Sequence, residues 1–398
     1  MSKTIDFNNT QIAFQSKTTE QLGKAKFLFS LLGYGWLTRV GKVLMQIAFK
    51  IRLPIEPIMK KTIFFQFCGG ETLEECKSNI DVLYAEGGVM SILDYSVEGA
   101  DNEANFDRTL AALLDICNFS ELQEQIPFLV FKPTGLGRLE LFQKVSEDLP
   151  LELSEMEEWA KVKKRFESIC MAVAETADLK LMVDAEESWS HKAIDQLTEE
   201  MMVRFNTKRT VVYTTVQLYL WNKMRYLEQS KELAKKHHIR VGVKLVRGAY
   251  MEKERDRALA KGYESPVCVD KSTTDKNFNH GMSFVLENLE VFDLFLGTHN
   301  EVSCMQLVQK MEEKKLLNDD ARIWFGQLFG MSDNISFNLA ENGYNVVKYV
   351  PFGPIRDVMP YLIRRAEENS SVGSQSSREL QLLKKELKRR KEVQGDID

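Results

Sequence analysis

The sequence is poor in the residues that build metal and disulfide sites. Its six cysteines lie at positions 68, 76, 117, 170, 268 and 304, and no two form a CxxC pair. Set mostly in apolar or helical stretches, they read as reduced, buried thiols of an intracellular protein. Histidine is scarcer, five in all, with no HExxH and no His/Cys cluster, so no metal site is expected. The adjacent His237 and His238 suit a helix C-terminus instead. No Walker loop occurs, and no GxGxxG follows a strand. GGETLEE (69–75) looks like a phosphate loop but reads as the start of a helix. There is no basic excess: the net charge is −5, and no window resembles a nucleic-acid motif, which excludes that class of partner. Long apolar runs are missing too. FLFSLLGYGWL (27–37) is about half the length a membrane helix needs. The opening MSKTIDFNNTQ lacks the basic start and apolar core of a signal peptide. With no Arg before Arg39, it also makes a poor mitochondrial presequence.

What is present suits a large soluble α/β protein, with 398 residues and 44% hydrophobic content. Residues 21–67 carry a helical stripe through Leu32, Trp36, Val40, Val43 and Leu44, interspersed with Lys and Arg and broken by the prolines of IRLPIEPIMKK (51–61). Two or three covering helices are expected there, and their basic amphipathic character also suits contact with a membrane surface. From residue 68 onward apolar strands alternate with helices. Strands are expected to end at Asp94, Lys132, Asp184, near Gln217, in the run carrying Lys244, at Thr298–Asn300, at Gln327 and at Tyr349. A single long helical stretch over 139–177 includes an acid-rich excursion, SEDLPLELSEMEEW, read as solvated. Eight alternating units imply parallel βαβ connections and a closed (β/α)8 barrel. The polar residues gather at the carboxyl ends of the strands, the rim where such barrels place their sites.

Some residues carry more than fold. Lys244 interrupts the apolar strand VGVKLV, so it should point into the barrel and meet an anion or acceptor there. A Lys stem crossing apolar surface is the plainer alternative. Gly248-Ala249 would let a ligand approach the backbone. Asp184, Glu186 and Glu187 form an acidic trio. Asp184 and Glu186 share a face, so one should face the rim while the other is paired or buried, and Glu187 reads as solvated. In 349–371 a helix is expected from Pro354, with Ile355, Met359, Leu362, Ile363 and Ala366 on one face and Tyr361, Arg364, Arg365 and Glu368 on the other. Periodicity alone makes this a surface helix with an ordinary Arg364–Glu368 pair. A rigid double-Arg anion clamp is the alternative.

Four motifs decide between these readings. KLVRGAYMEKER (244–255), LMVDAEES (181–188), GTHN (297–300) and PYLIRRAEENSS (360–371) resemble, in order, those of the flavin-dependent proline dehydrogenases, over roughly residues 60–372. The resemblance implies a distorted (β/α)8 barrel with its last helix over the mouth. It divides the chain into an N-terminal helical region (1–67), the catalytic barrel (68–372) and a charged tail (373–398). The implied activity is oxidation of L-proline to Δ1-pyrroline-5-carboxylate with FAD as hydride acceptor and a membrane quinone beyond it. The product would pass to a separate pyrroline-5-carboxylate dehydrogenase. The lack of a clear secretory or mitochondrial signal places the expected location in the cytoplasm, and a quinone acceptor would add peripheral contact with the inner membrane. The rival readings are a hydroxyproline dehydrogenase, in which Tyr361 should give way to a smaller group, and a flavin-less ligand-binding barrel.

Carried over by position, Arg364, Arg365 and Lys132 should hold the substrate carboxylate, with Glu368 steadying the Arg pair and bordering the flavin. Tyr250, Tyr349, Tyr361 and Leu328 should wall the ring. Asp184 should order the basic groups beside flavin and substrate, and Gln217 and Lys244 should contact the isoalloxazine. Val246, Arg247, Gly248, Ala249, Gly297, Thr298, His299, Asn300 and Gln327 should line the rest of the cofactor site, which Arg365 and Glu368 also border. Many bacterial members have Arg where this chain has Lys244, which keeps a donor but loses the fork geometry. In the tail, Leu380, Leu383 and Leu387 form a narrow stripe among many bases. It reads as a solvated helix, or as one lying on a membrane surface.

Overall fold

The computed structural model describes residues 5–34, 41, 55–95, 102–371 and 375–395. Trp36, Val40, Val43 and Leu44 of the N-terminal stripe lie outside them. Eight strands order in sequence as one closed parallel barrel. They are β1 (Met90–Tyr95), β2 (Phe128–Phe131), β3 (Lys180–Val183), β4 (Val212–Gln217), β5 (Val241–Val246), β6 (Phe292–Gly297), β7 (Ile323–Leu328) and β8 (Val346–Phe352). The helices used below are α1 (Thr19–Leu32), α2 (Leu73–Gly87), α3 (Glu103–Glu121), α4 (Leu139–Ser146), α5 (Leu153–Glu175), α6 (His191–Phe205), α7 (Lys223–His237), α8 (Met251–Lys261), α9 (Lys271–Glu287), α10 (Glu301–Glu313), α11 (Asp333–Glu341), α12 (Met359–Ser371) and α13 (Gln375–Gly395).

All eight expected strands are present, because each is a short run of β-branched, aromatic and Leu residues bounded by polar or turn residues. Helix starts follow local chemistry. Asn102, Asp270 and Asn300 each accept a backbone N–H from the first turn of α3, α9 and α10. The expected long helix over 139–177 is two helices, separated by residues 147–152. Asp148 takes a left-handed φ of 54° in the break, and Pro150 follows it. The acid-rich excursion is not simply solvated. Glu155 pairs with Lys144 at 2.6 Å and Glu158 with Arg138 at 2.6 Å, tying α4 to α5.

The chain divides into two compact units, residues 1–98 with 327–398, and residues 99–326. In the second unit Phe128 of β2 meets Tyr213 of β4, Phe295 of β6 and Trp324 of β7 edge to face, with ring centres 5.1–5.5 Å apart. Strands this far apart in the order touch only through the interior, so these rings fill the barrel.

In the first unit β1 and β8 pair in register, Ile92 opposite Tyr349. A separate core joins Phe29 of α1, Phe64 and Phe67 of the N-terminal helical region, Val358 and Leu362 around the start of α12, and Leu382 and Leu383 of α13. The tail helix is therefore not a solvated one. Leu382 and Leu383 keep 2% and 1% of their surface. Of the expected stripe, Leu383 is buried and Leu387 packs partly on this core. No described helix is long and apolar enough to cross a membrane.

Candidate functional site

In the unit 99–326 the strand ends carry a connected set of polar groups. Asp184 follows β3, and its carboxylate accepts from the Lys244 ammonium of β5. Lys244 is 5% exposed, so the anion expected for a Lys in an apolar strand is Asp184. Gln217 closes β4 and donates to the Ala185 carbonyl at 3.3 Å. Its Oε1 is buried with no hydrogen-bond partner among the described residues. Arg247, just past β5, is locked in place. Its Nε pairs with Asp275 at 2.7 Å, and its Nη atoms donate to the Thr298 hydroxyl at 2.9 Å and the Ser303 hydroxyl at 3.0 Å. It therefore ties β5 to the loop that enters α10. Gly297, at the end of β6, lies against Val246. Thr298, His299 and Asn300 lead from it into the N-terminus of α10, where backbone N–H groups favour an anion. Asn300 holds the turn by accepting the Ser303 N–H at 3.0 Å.

Gly248 and Ala249 present exposed backbone between Arg247 and Tyr250. Gly248 has φ +130°, and a Cβ there would lie 2.0 Å from the Tyr219 ring. No side chain fits. Tyr250 stands at the entry to α8, with the Lys253 ammonium 5.3 Å from its ring centre.

The acidic trio divides as Asp184 and Glu186 were expected to, but Glu187 does not. Glu186 is buried and takes the Thr134 N–H at 2.9 Å and its hydroxyl at 2.5 Å. Thr134 is two residues past Lys132, so Glu186 clasps the loop carrying Lys132 to the loop carrying Asp184. Burial pushes the Glu186 carboxyl up to about 7, against the pull of Thr134 and Lys132. Glu187 is 6% exposed and paired with Lys253 at 2.9 Å, which corrects its reading as a solvated residue. Glu254, fully buried in α8, accepts the Ser188 N–H and hydroxyl, both at 2.6 Å. His191 contacts the Glu186 carbonyl at 2.9 Å through Nε2, and burial brings its pKa down to about 4.

The other unit supplies the ends of β7 and β8 and helix α12. Gln327 accepts from the Ser336 hydroxyl at 2.8 Å. Leu328 packs on the apolar core of this unit, and the Phe329 N–H donates to the Tyr349 carbonyl at 2.8 Å. The helix expected from Pro354 starts at Met359; residues 355–358 form turns first. Its polar face is not a surface face. Tyr361 is 4% and Arg365 8% exposed. The Tyr361 hydroxyl and Arg365 Nε are both buried without a hydrogen-bond partner among the described residues. Arg365 Nη1 pairs with Glu368 at 2.6 Å, and the nearby Arg364 also draws on the same carboxylate. The Arg365 guanidinium lies 5.1 Å from the Tyr361 ring centre, and Arg364 is half-buried beside it. Burial holds the Tyr361 phenol well above its ordinary pKa, so it remains a donor.

Sequence reading missed Glu254 and His191 as site-building groups, since a single polar residue on a helix gives no periodic signal. Lys348 is different. It interrupts the apolar run NVVKYV as Lys244 interrupts VGVKLV, and it is fully buried.

Comparison with known proteins supplies the rest. The family model described as proline dehydrogenase matches residues 76–378. The carbapenem antibiotics biosynthesis protein CarD of Pectobacterium carotovorum is 35% identical, over 81% of this chain and 83% of its own. Proline dehydrogenase 1, mitochondrial, of Dictyostelium discoideum is 30% identical over 97% of this chain and 75% of its own. A hydroxyproline dehydrogenase of Xenopus laevis is 29% identical over 95% and 88%. Among solved structures, proline utilization A (PutA) from Bdellovibrio bacteriovorus shares the fold with a TM-score of 0.69 at 18% identity. The match covers 81% of this chain but only 35% of that one.

Proposed function

Because the chain belongs to the proline dehydrogenase family, we propose that it oxidises L-proline to Δ1-pyrroline-5-carboxylate with FAD as its cofactor. The observation that carries this reading is the pair of buried, unsatisfied donors on α12, the Tyr361 hydroxyl and Arg365 Nε. Buried donors without acceptors cost about 1–3 kcal/mol each. A substrate carboxylate supplies acceptors, and Arg364, Arg365 and Lys132 are the groups assigned to it. Glu368 keeps Arg365 oriented. Tyr250, Tyr349, Tyr361 and Leu328 wall the apolar ring and exclude water.

The residues present fit a flavin. Gln217 offers a buried acceptor lacking a donor. Gly248 leaves backbone open where a side chain cannot stand. Thr298, His299 and Asn300 precede a helix N-terminus suited to a pyrophosphate. Lys244, fixed by Asp184, together with Gln217 is assigned to the isoalloxazine. Val246, Arg247, Ala249, Gly297 and Gln327 line or brace the remainder. FAD, when bound, supplies the electron sink that amino-acid side chains lack.

The chain's own task is positioning and proton control. Proline must lose its ammonium proton before its nitrogen lone pair can form the C=N bond. The ring carbon beside nitrogen, on the side away from the carboxylate, then gives up a hydride, and the nitrogen gives up its remaining proton. Arg364, Arg365, Lys132 and Lys244 favour the neutral amine. Asp184 and the substrate carboxylate oppose them. Beyond this step, the reading includes a membrane quinone as electron acceptor and a separate dehydrogenase that carries the product towards glutamate. It places the chain in the cytoplasm, in peripheral contact with the membrane that holds the quinone.

The hydroxyproline relative raises a second substrate. Tyr361 disfavours it, because its buried phenol takes space that a hydroxylated ring would need. Anaerobic mixing of the FAD-loaded protein with each amino acid tests both points. L-proline should bleach the flavin absorbance and hydroxyproline should do so weakly. A colourless protein that cannot be loaded with FAD would overturn the reading.

A further inference from the structure

The segment after β7 is held from many sides by its own unit. The Phe329 N–H donates to Tyr349 O at 2.8 Å, and Gln66 Nε2 donates to Gly330 O at 2.6 Å. Lys348 Nζ reaches the carbonyls of Leu328, at 3.4 Å, and Met331. Asn369 of α12 contacts the Met331 sulfur at 3.7 Å. The path itself is unusual. Gly330 has φ +76°, with Gln66 O only 1.8 Å from where a Cβ would stand, and Ser332 has φ +52° despite its side chain.

What holds Ser332 in that conformation comes from the far end of the chain. Glu379 of α13 accepts the Ser332 N–H at 2.5 Å and is 5% exposed. Beside it lies a buried ion cluster. Asp333 bridges Lys348 at 2.8 Å and Lys17 at 2.6 Å. Two ammonium groups and two carboxylates, from the N-terminal segment, β8, α11 and α13, meet beside the segment that follows Leu328.

We propose that Glu379 is a positioning residue for substrate binding: through Ser332 and the Lys17–Asp333–Lys348 cluster it fixes Leu328 and Tyr349. This rests on the reading that Leu328 and Tyr349 border the substrate ring. The last helix is then part of the substrate site's support. Burial and the nearby Asp333 push the Glu379 carboxyl up to about 7, against Lys348, Lys17 and the Ser332 N–H. Above that pH the carboxylate balances the cluster and holds Ser332 by a charge-assisted bond. Below it the bond weakens and the buried cluster gains a positive charge.

The test compares the full-length protein with Glu379→Gln in two measurements across neutral pH. One is KM for L-proline. The other, made without substrate, is hydrogen-exchange protection of a peptide spanning residues 328–333, corrected for intrinsic exchange. In the parent chain protection should fall and KM should rise roughly fivefold as pH drops through the titration of Glu379. Glu379→Gln should show the low-pH values throughout, with normal FAD content. Lys17→Gln serves as a second variant, since Lys17 is partly exposed. Lys17 pulls the Glu379 pKa down, so its loss should move both steps to higher pH. The proposal is overturned if Glu379→Gln keeps parental protection and KM at every pH. It is also overturned if Lys17→Gln leaves the steps in place, or if activity falls only with the folded fraction at unchanged KM. Should the chain fail to oxidise proline at all, the exchange measurement still decides whether Glu379 holds residues 328–333 in place.

Discussion

Lys244 and Lys348 each place an ammonium on an apolar strand, and the protein answers both with a carboxylate, Asp184 for one and Asp333 for the other. Removing either partner leaves a buried charge, which costs about 3–5 kcal/mol. Asp333→Asn should lower stability by about that much in a denaturant titration. The acid dependence has a definite sign. The Asp333 carboxyl is held down to about 2 by Lys17 and Lys348 despite its burial. Its contribution is therefore present above its unfolded pKa and lost as pH falls through about 2. The Asn variant should lack that acid-sensitive component. At α12 the expectation is kinetic. Arg365→Ala should raise KM for L-proline by about ten- to a hundredfold, since a charged hydrogen bond is worth about 1.5–3 kcal/mol. Its thermal midpoint should move little, because the pair lost is with the 42% exposed Glu368. An unchanged KM would remove Arg365 from the site. The chemistry of Lys244 was legible in the sequence because one charge among five apolar residues is conspicuous. The buried state of Tyr361 and Arg365 was not, since a helix packed on both faces shows the same periodicity as one facing water.

Among the elements, strands were read well and helices less so. An apolar run marks a strand whatever surrounds it, although β8 continues past Tyr349 to Phe352, where it pairs with β1 through Tyr95. Helix α8 escaped notice because its sequence is MEKERDRALAK, with only Glu254 and Ala258 buried and no stripe to see. The tail helix shows the opposite error. Its many bases suggested solvent, yet Leu382, Leu383 and Glu386 are buried. Leu382→Ala or Leu383→Ala should each cost about 2–5 kcal/mol, read as a lower denaturant midpoint. A loss under half a kilocalorie would show that α13 is dispensable. The turn at Gly248 carries a different expectation. Gly248→Ala meets both the +130° backbone and the Tyr219 ring, so FAD content should fall while far-ultraviolet circular dichroism stays unchanged. Full FAD retention would mean that the turn does not face the cofactor.

For the molecule as a whole, at saturating proline, where a change in KM no longer shows, pH should act on activity through the substrate. The rate of flavin reduction by saturating proline should rise with pH as the bound amine loses its proton, and a flat profile would count against the crowd of cations assigned to it. His191 should not contribute in this range, because burial holds it neutral down to about 4. The barrel could be read in the sequence because alternation of strand and helix is a property of neighbours along the chain. The division into two units could not, because it depends on contacts between the first hundred residues and the last seventy.

The interlock of the two chain ends bears on biogenesis. Arg390 of α13 donates to the carbonyls of Phe14 and Lys17, and Lys385 donates to that of Asn8. A ribosome delivers residues 8–17 long before these partners. Residues 99–326 form one contiguous unit that can gather its contacts during translation. The N-terminal helices must wait, with Phe14, Leu22 and Phe29 lacking their final neighbours until α13 emerges. A nascent chain stalled before residue 375 should therefore expose that apolar surface to chaperones, whereas one stalled before residue 99 differs little from a short peptide.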